Sequence, residues 1–343
     1  MSRLLAPRNR FNLIAGFVGL VTFFVVPNVT DTFQTFEWAQ VAAYAAAMIG
    51  LNILTGYSGQ ISLGNGAFMA IGSYTTALMT TRLGVPYPVT IPIGALIAFV
   101  VGILVGIPAL RLRGIYLALA TFALALTVTP VLNNYDKFTG GHVGISLKAI
   151  HPAFGLPLSN EQWLYFFDWT LVLIVFVPAW LLIRSRTGRA WMAIRDSETA
   201  AVANGISLAY YKTLAFGVSA ACAGVAGSLL VINIQYAEPD AFTLNLSLQL
   251  LVGVVIGGLA YVWGPILGAT LAVWLPFFAE RALGAKPDIG FGLFLIAVVF
   301  LAPNGLAGLA QRLTLRLHRP EGGVVATPGV MEATAAEADQ ITT

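Results

Sequence analysis

A chain of 343 residues in which 58% are hydrophobic and only 10% charged, with a mean hydropathy of +0.82, cannot cover a soluble surface. Soluble domains carry roughly 25% charged residues, so the chain reads as an integral helical membrane protein. The net charge of +3 excludes nothing as a total, whereas the single cysteine, Cys222, excludes an intramolecular disulfide and any cysteine-based metal cluster.

Arg3, Arg8 and Arg10 precede an apolar run at 11–26, with no small-x-small cleavage site before Pro27. This predicts an uncleaved first span with its N-terminus in the cytoplasm. Further apolar runs lie at 38–54, 61–80, 87–107, 115–132, 164–183, 214–234, 246–259, 263–279 and 290–301, giving ten segments. Several fall short of the ~20 residues a full span needs, which points to tilted, broken or re-entrant helices. If all ten cross, thirteen Lys and Arg fall on the cytoplasmic side and five (Arg82, Lys137, Lys148, Arg281 and Lys286) outside. That asymmetry is the one expected of a correct orientation.

The first distinctive stretch is 51–76, LNILTGYSGQISLGNGAFMAIGSYTT. Gly56, Gly59, Gly64, Gly66 and Gly72 interrupt an otherwise apolar hairpin, and Tyr57, Ser58, Gln60, Ser62 and Asn65 add uncharged hydrogen-bonding groups near the cytoplasmic boundary. Broken backbone at membrane depth is tolerated only where protein or a water-filled cavity covers it. A tight turn between two spans needs fewer such residues, so Gly56, Tyr57, Ser58, Gln60, Ser62, Asn65 and Gly66 are candidates for lining a translocation path.

Gly102 and Gly106 form the first of three GxxxG steps; Gly253 with Gly257 and Gly264 with Gly268 form the others. Such faces let helix backbones approach closely, which predicts a compact many-helix bundle. The outer connection at 133–162 is long enough to serve as a docking surface for an external partner or as a lid over the outer mouth. His142 and His151 lack the converging ligands a metal site requires.

Ionisable residues within spans are few: Asp168 beside Trp169, and Glu280–Arg281 at the end of another segment. An ion-coupled transporter usually needs more, which weighs against that class, although backbone carbonyls can hold sodium. HExxH, GxSxG and GxxxxGK[ST] are all missing from the sequence, so neither hydrolytic chemistry nor P-loop ATP binding is expected of this chain by itself. No cofactor is expected.

On the arginine-rich side, 184–212 is the longest polar interruption between two apolar runs. It reads as two short helices. The first, at 188–195, carries Trp191 and Ile194 on one stripe. The second would be opened by Asp196 as N-cap, with Glu198 in its first turn and Gly205 as a left-handed stop. Two readings stay open on the residues alone: an amphipathic segment on the headgroups, anchored by Arg184, Arg186 and Arg189, or a face offered to a partner. In the next apolar run Cys222, between Ala221 and Ala223, reads as core packing.

The block LTGYSGQISLGNGAFMAIGSYTTA resembles the signature of the permease subunits of branched-chain amino acid ABC importers, in particular the LivM-like subunit. GRAWMAIRDSETAAVANGISLAYYKTLAFGVSAACAGVAGSL, VGVVIGGLAYVWGPILGATL and GLFLIAVVFLAPNGLAGL resemble later blocks of the same family, so the likeness spans about 51–309. It implies an all-α integral membrane permease domain over 1–310, with ten spans in two inverted five-helix halves as in the cobalamin importer, and a cytoplasmic tail at 311–343. The tail's composition suggests disorder. It further implies that 184–212 is a coupling loop seated on a cytoplasmic ATPase. The loop carries an EAA-like pattern at Glu198-Thr199-Ala200-Ala201 through Gly205, with Thr199 departing from the literal motif. Ala200 and Ala201 would enter a groove, while Arg189, Arg195, Asp196 and Glu198 would fix the register through charge-assisted hydrogen bonds. The implied partners are a second, LivH-like permease, two ABC ATPases and a periplasmic binding protein, at a bacterial inner membrane with both termini cytoplasmic. The implied substrates are branched-chain or related amino acids. A urea or short-amide importer is the alternative, and an ion-coupled secondary transporter or a channel for a small neutral solute are rivals of another class.

Overall fold

The computed structural model describes residues 19, 22–109, 114–148, 150, 152, 158–283 and 305–309. The expected span at 11–26 is therefore described only in part. The tenth apolar segment at 290–301 and the tail at 311–343 lie outside the described residues.

The chain enters as α1 (residues 22–29) and turns at Thr30 into α2, Thr32–Leu51. Alanine, the strongest helix former, dominates the second half of α2 in the run AAYAAAM. Its small side chains let neighbours approach on every side, and α2 with its extension to Tyr57 is 89% buried over its most apolar window. After a turn come α3 (Asn65–Arg82), α4 (Tyr87–Ala109) and α5 (Ile115–Asn134). A short α6 (Asp136–Thr139) leads to β1, Ile145–Ser146. α7 (Asn160–Arg184) starts at a complete capping box, in which the Ser159 hydroxyl accepts from Gln162 N and the Gln162 side chain returns to Ser159 N. Then follow α8 (Arg186–Asp196), α9 (Glu198–Ala203), α10 (Leu208–Ile234), β2 (Tyr236–Ala237), α11 (Leu244–Gly257) and α12 (Gly264–Leu283).

Among the described residues, five helices are long and apolar enough to cross a membrane: Thr32–Tyr57, Tyr87–Pro108, Tyr116–Asn134, Asn160–Arg184 and Leu208–Ile234. α3 is not among them, because Asn65, Ser73, Thr75, Thr76, Thr80 and Thr81 dilute its hydropathy. α11 and the apolar part of α12 are shorter than a full crossing. The described residues thus form a helical bundle of membrane-protein composition, with a single β pairing of two residues a side among them.

Burial separates centre from rim. The windows of α2 and α10 are each 89% buried, those of α5 and α7 only 17%. α10 packs on α4, α3 and α2, and α2 packs on α7 and α12. Glycines set these distances. The two GxxxG steps of α11 and α12 pack on each other: a Cβ on Gly257 would collide with the Gly264 carbonyl, and one on Gly268 with the Gly253 carbonyl. Gly102 and Gly106 of the α4 step face Ala220 and Phe216 of α10. Cys222 is buried in α10 as expected, and a Cβ on Gly50 would lie 2.6 Å from its Cβ.

The expected outer connection is stitched to the bundle. β1 pairs antiparallel with β2, Ile145 opposite Ala237, and Leu147 N donates to Gln235 O at 2.9 Å. The Tyr236 hydroxyl donates to Val143 O, and Arg82 at the end of α3 donates to the Lys137 and Phe138 carbonyls at 2.5 and 3.0 Å.

Candidate functional site

The α2 helix does not simply stop. Over Asn52–Tyr57 it widens into a π-helical turn, all six residues of which are buried. Ser58 N reaches back to Ile53 O and Gln60 N to Leu54 O, each at 3.0 Å. Gly59 has φ +73°, the left-handed turn that reverses the chain at little cost for glycine. Asn52 fixes the start of this turn from a distance in sequence of more than two hundred residues. Its Nδ2 donates to Tyr261 O, and its Oδ1 accepts from Ala260 N, both at 2.9 Å. Gly56 is the only residue type that fits beneath this clamp, since a Cβ would lie 2.6 Å from Ala260 N and closer still to Asn52 Oδ1.

The polar side chains of the turn are used inside it. Thr55 Oγ1 donates to Gln60 O at 3.1 Å, and Gln60 Nε2 donates to Ser58 Oγ at 2.7 Å. The fully buried Ser62 accepts from Gly64 N at 3.3 Å, and Leu63 N donates to Thr121 Oγ1 of α5 at 3.0 Å. α3 then begins at Asn65 without a side-chain cap, and Gly66 N donates to Ser247 Oγ of α11 at 2.9 Å. The side-chain amide of Asn65 differs from the rest: it is 1% exposed, and neither its oxygen nor its nitrogen has a hydrogen-bond partner among the described residues. A buried primary amide left so costs about 1–3 kcal/mol, unless water or a solute meets it.

All seven residues singled out in this stretch, Gly56, Tyr57, Ser58, Gln60, Ser62, Asn65 and Gly66, therefore gather around one turn and all are buried. They lie apart from a crevice of about 370 Å³ between α4, α7 and α10, which apolar side chains such as Phe99, Pro178 and Val225 line.

The segment 184–212 is two helices, as the stripe of Trp191 and Ile194 predicts. Gly188, Ala190, Trp191 and Ile194 are the buried face of α8, and Trp191 Nε1 donates to Tyr211 O at the start of α10 at 2.8 Å. The cap expected at Asp196 belongs instead to Ser197, whose Oγ accepts from Ala200 N at 3.3 Å; Asp196 is the last residue of α8. Serine and aspartate cap equally well, and the shorter hydroxyl lies one residue nearer the turn. Gly205, at φ +76°, ends α9 in the left-handed conformation. Gly205 N donates to Val202 O and Ile206 N to Ala201 O, a full Schellman closure. α9 buries Ala201 and presents Thr199, Ala200, Val202 and Ala203 outward.

The charges of this segment divide into two sets. Arg189 is exposed and reaches only the Arg184 carbonyl at 3.5 Å, while Arg184 stacks over the Trp180 ring at 4.0 Å. The others tie the loop to the bundle. Arg195 Nη1 donates to Gly56 O at 2.9 Å, and its Nε and Nη2 both meet Asp196 Oδ1 at 3.3 Å. The buried Lys212 Nζ pairs with Glu198 Oε1 at 2.5 Å, and the Lys212 carbonyl accepts from Gln60 Nε2 at 3.5 Å. The two distinctive stretches of the sequence are therefore in direct contact.

Reading the sequence missed Asn52 and the Asp168–Asn233 pair. Asp168 is fully buried in α7, with its Oδ2 accepting from Asn233 Nδ2 of α10 at 2.6 Å. A polar residue within an apolar run, as Asn233 is in LLVINI, was the available signal. No group of three or more potential metal ligands occurs among the described residues.

Residues 35–303 match the family described as branched-chain amino acid transport system permease component. The chain is 35% identical over 303 residues to the high-affinity branched-chain amino acid transport system permease protein LivM of Salmonella typhimurium, covering 81% of this chain and 71% of the relative. It is 36% identical over 291 residues to LivM of Escherichia coli K12, covering 78% and 68%. It is also 24% identical over 271 residues to the probable permease protein LivH of Methanocaldococcus jannaschii, covering 74% and 84%. No solved structure matches.

Proposed function

We propose that this chain, which belongs to the family of branched-chain amino acid transport permease components, forms half of the membrane pathway of an ATP-binding-cassette importer. It is a multi-pass inner-membrane transport subunit, and its substrates are branched-chain or related amino acids. The energy-yielding chemistry takes place on partners: two cytoplasmic ATPases, beside a second LivH-like permease and a periplasmic binding protein that delivers the solute. Ten spans in two inverted halves, both termini in the cytoplasm, a permease domain over 1–310 and a tail at 311–343 complete the reading.

One observation carries the coupling role. α9 is closed by Ser197 at one end and Gly205 at the other, and turns a small-residue face outward while α8 and Lys212 hold it to the bundle. A rigid, self-capped helix of six residues with Thr199, Ala200, Val202 and Ala203 outward has the shape of a peg for a groove. A segment lying on headgroups would turn its apolar stripe outward, whereas the Trp191–Ile194 stripe of α8 is buried against the bundle. Arg189, Arg195, Asp196 and Glu198 would fix the register of the peg, and the candidate path turn meets α8 and α10 beside it.

The test is co-purification of the tagged chain with its candidate ATPases, followed by uptake in liposomes. We expect the wild type to bring both down and to take up leucine only with ATP. Gly205→Trp, which opens the Schellman closure, and Glu198→Lys should lose the ATPases or the uptake. Uptake by this chain alone, driven by a proton or sodium gradient, would sink the importer reading.

A further inference from the structure

The resemblance implies that Arg195 is a docking residue; its side chain stays 37% exposed, and its guanidinium also reaches back to the bundle. Its guanidinium donates to the Gly56 carbonyl at the frayed end of α2, 139 residues earlier in the chain. That carbonyl belongs to the C-terminal end of a long helix, where the macrodipole is negative and terminal acceptors lack intrahelical partners. A cation there is favoured, and here it comes from another helix. The stem of the same side chain crosses Gly59 so closely that a Cβ on Gly59 would lie 2.8 Å from Arg195 Cγ and 3.3 Å from Arg195 Cα. Asp196 Oδ1 accepts from Nε and Nη2, the remaining edge of the guanidinium, at 3.3 Å each. The helix that receives this contact is among the most buried of the bundle and packs on α7, α10 and α12. One turn before Gly56, Asn52 joins it to the backbone at 260–261, between α11 and α12.

We propose that Arg195 is the positioning residue that transmits movement of the α8–α9 pair to the π-turn of α2, and through Asn52 to the turn between α11 and α12. This rests on the reading of 184–212 as the ATPase-docking segment. In it, α9 meets the ATPase, α8 moves with α9, and the guanidinium carries the displacement into the backbone of the turn that gathers the candidate path residues. Gly56 and Gly59 are glycines so that the strut and the clamp can both close on the backbone itself.

The experiment uses the whole assembly in liposomes with binding protein and radiolabelled leucine, and reads three quantities: ATPases recovered, ATP hydrolysed, and leucine moved per ATP. For Arg195→Ala we expect the ATPases to stay bound, hydrolysis to stay within about twofold, and leucine moved per ATP to fall about tenfold, the size of one charge-assisted hydrogen bond. Arg195→Lys keeps one donor and should restore a large part of that ratio, a rescue that a merely space-filling role would not show. A wild-type ratio in Arg195→Ala overturns the proposal, and so does loss of the ATPases, which would make Arg195 a docking residue. If Arg195→Ala does not assemble, Gly59→Ala strikes the same contact from the α2 side and must lower the ratio for the proposal to stand. Failure of the wild type itself to bind ATPases is a separate result that removes the importer reading and this inference with it.

Discussion

The turn at 52–66 and the segment at 184–212 both interrupt apolar helices with glycine, serine and asparagine, and they dispose of their polar groups in different ways. The segment at 184–212 is locally self-sufficient: Ser185, Ser197 and Ser207 each cap the helix that follows, and Gly205 closes α9. The turn at 52–66 spends Thr55, Ser58, Gln60 and Ser62 within itself but is also held from afar, by Tyr261, Ala260, Thr121, Ser247 and Arg195, and among the described residues it leaves the Asn65 amide unmet. The difference matches what each is proposed to do. A peg for a partner has to keep its shape alone, whereas a turn on a solute path has to be held by several helices that can move relative to one another.

Five substitutions test this contrast. Gly56→Val should do the most damage, because it drives a side chain into Asn52 and Ala260 and breaks a buried two-bond clamp. A loss of more than about 3 kcal/mol is expected, read as a lower unfolding midpoint in detergent. Next comes the ion pair of α9 with α10. Glu198→Ala strands the buried Lys212 ammonium and should cost about 2–3 kcal/mol, whereas Lys212→Met, which removes the charge itself, should cost under about 1 kcal/mol. Equal losses in the two variants would mean that the pair is not desolvated. Asn65→Leu is expected to act with the opposite sign on stability. Removing an unmet buried amide at nearly constant volume should raise it by about 1–2 kcal/mol, while leucine uptake falls. Loss of both stability and uptake would show that Asn65 has a structural partner after all. Smallest is Ser197→Ala, which removes one cap and should cost about 1 kcal/mol, read by faster amide exchange confined to α9.

Much of this was legible from the residues. The helices followed from apolar runs, and the close approach of their backbones from the GxxxG steps, though not that α11 would meet α12. The buried turn announced itself by five glycines among polar residues, and α8 by the spacing of Trp191 and Ile194. What could not be read was pairing at a distance. Nothing in the periodicity of α2 says that Asn52 meets Ala260, or that Arg195 reaches Gly56, because a single chain records each residue's preferences and not its neighbour's address. The shift of the α9 cap from Asp196 to Ser197 has a local cause: two adjacent residues of equal capping power, decided by which one the preceding helix needs for its last turn.

The Asn52 clamp has a consequence for how the molecule is made. Its two partners stand 208 and 209 positions apart, and the guanidinium that reaches Gly56 arrives 139 positions later. At a synthesis rate of about 5–20 residues per second, α2 waits roughly 10–40 seconds in the insertion machinery before its frayed end can be tied off. During that interval its open carbonyls and the Asn52 amide need water or a chaperone. Residues made more than two hundred positions later thus seal the end of α2, and a ribosome that stalls before residue 260 leaves that turn without its clamp.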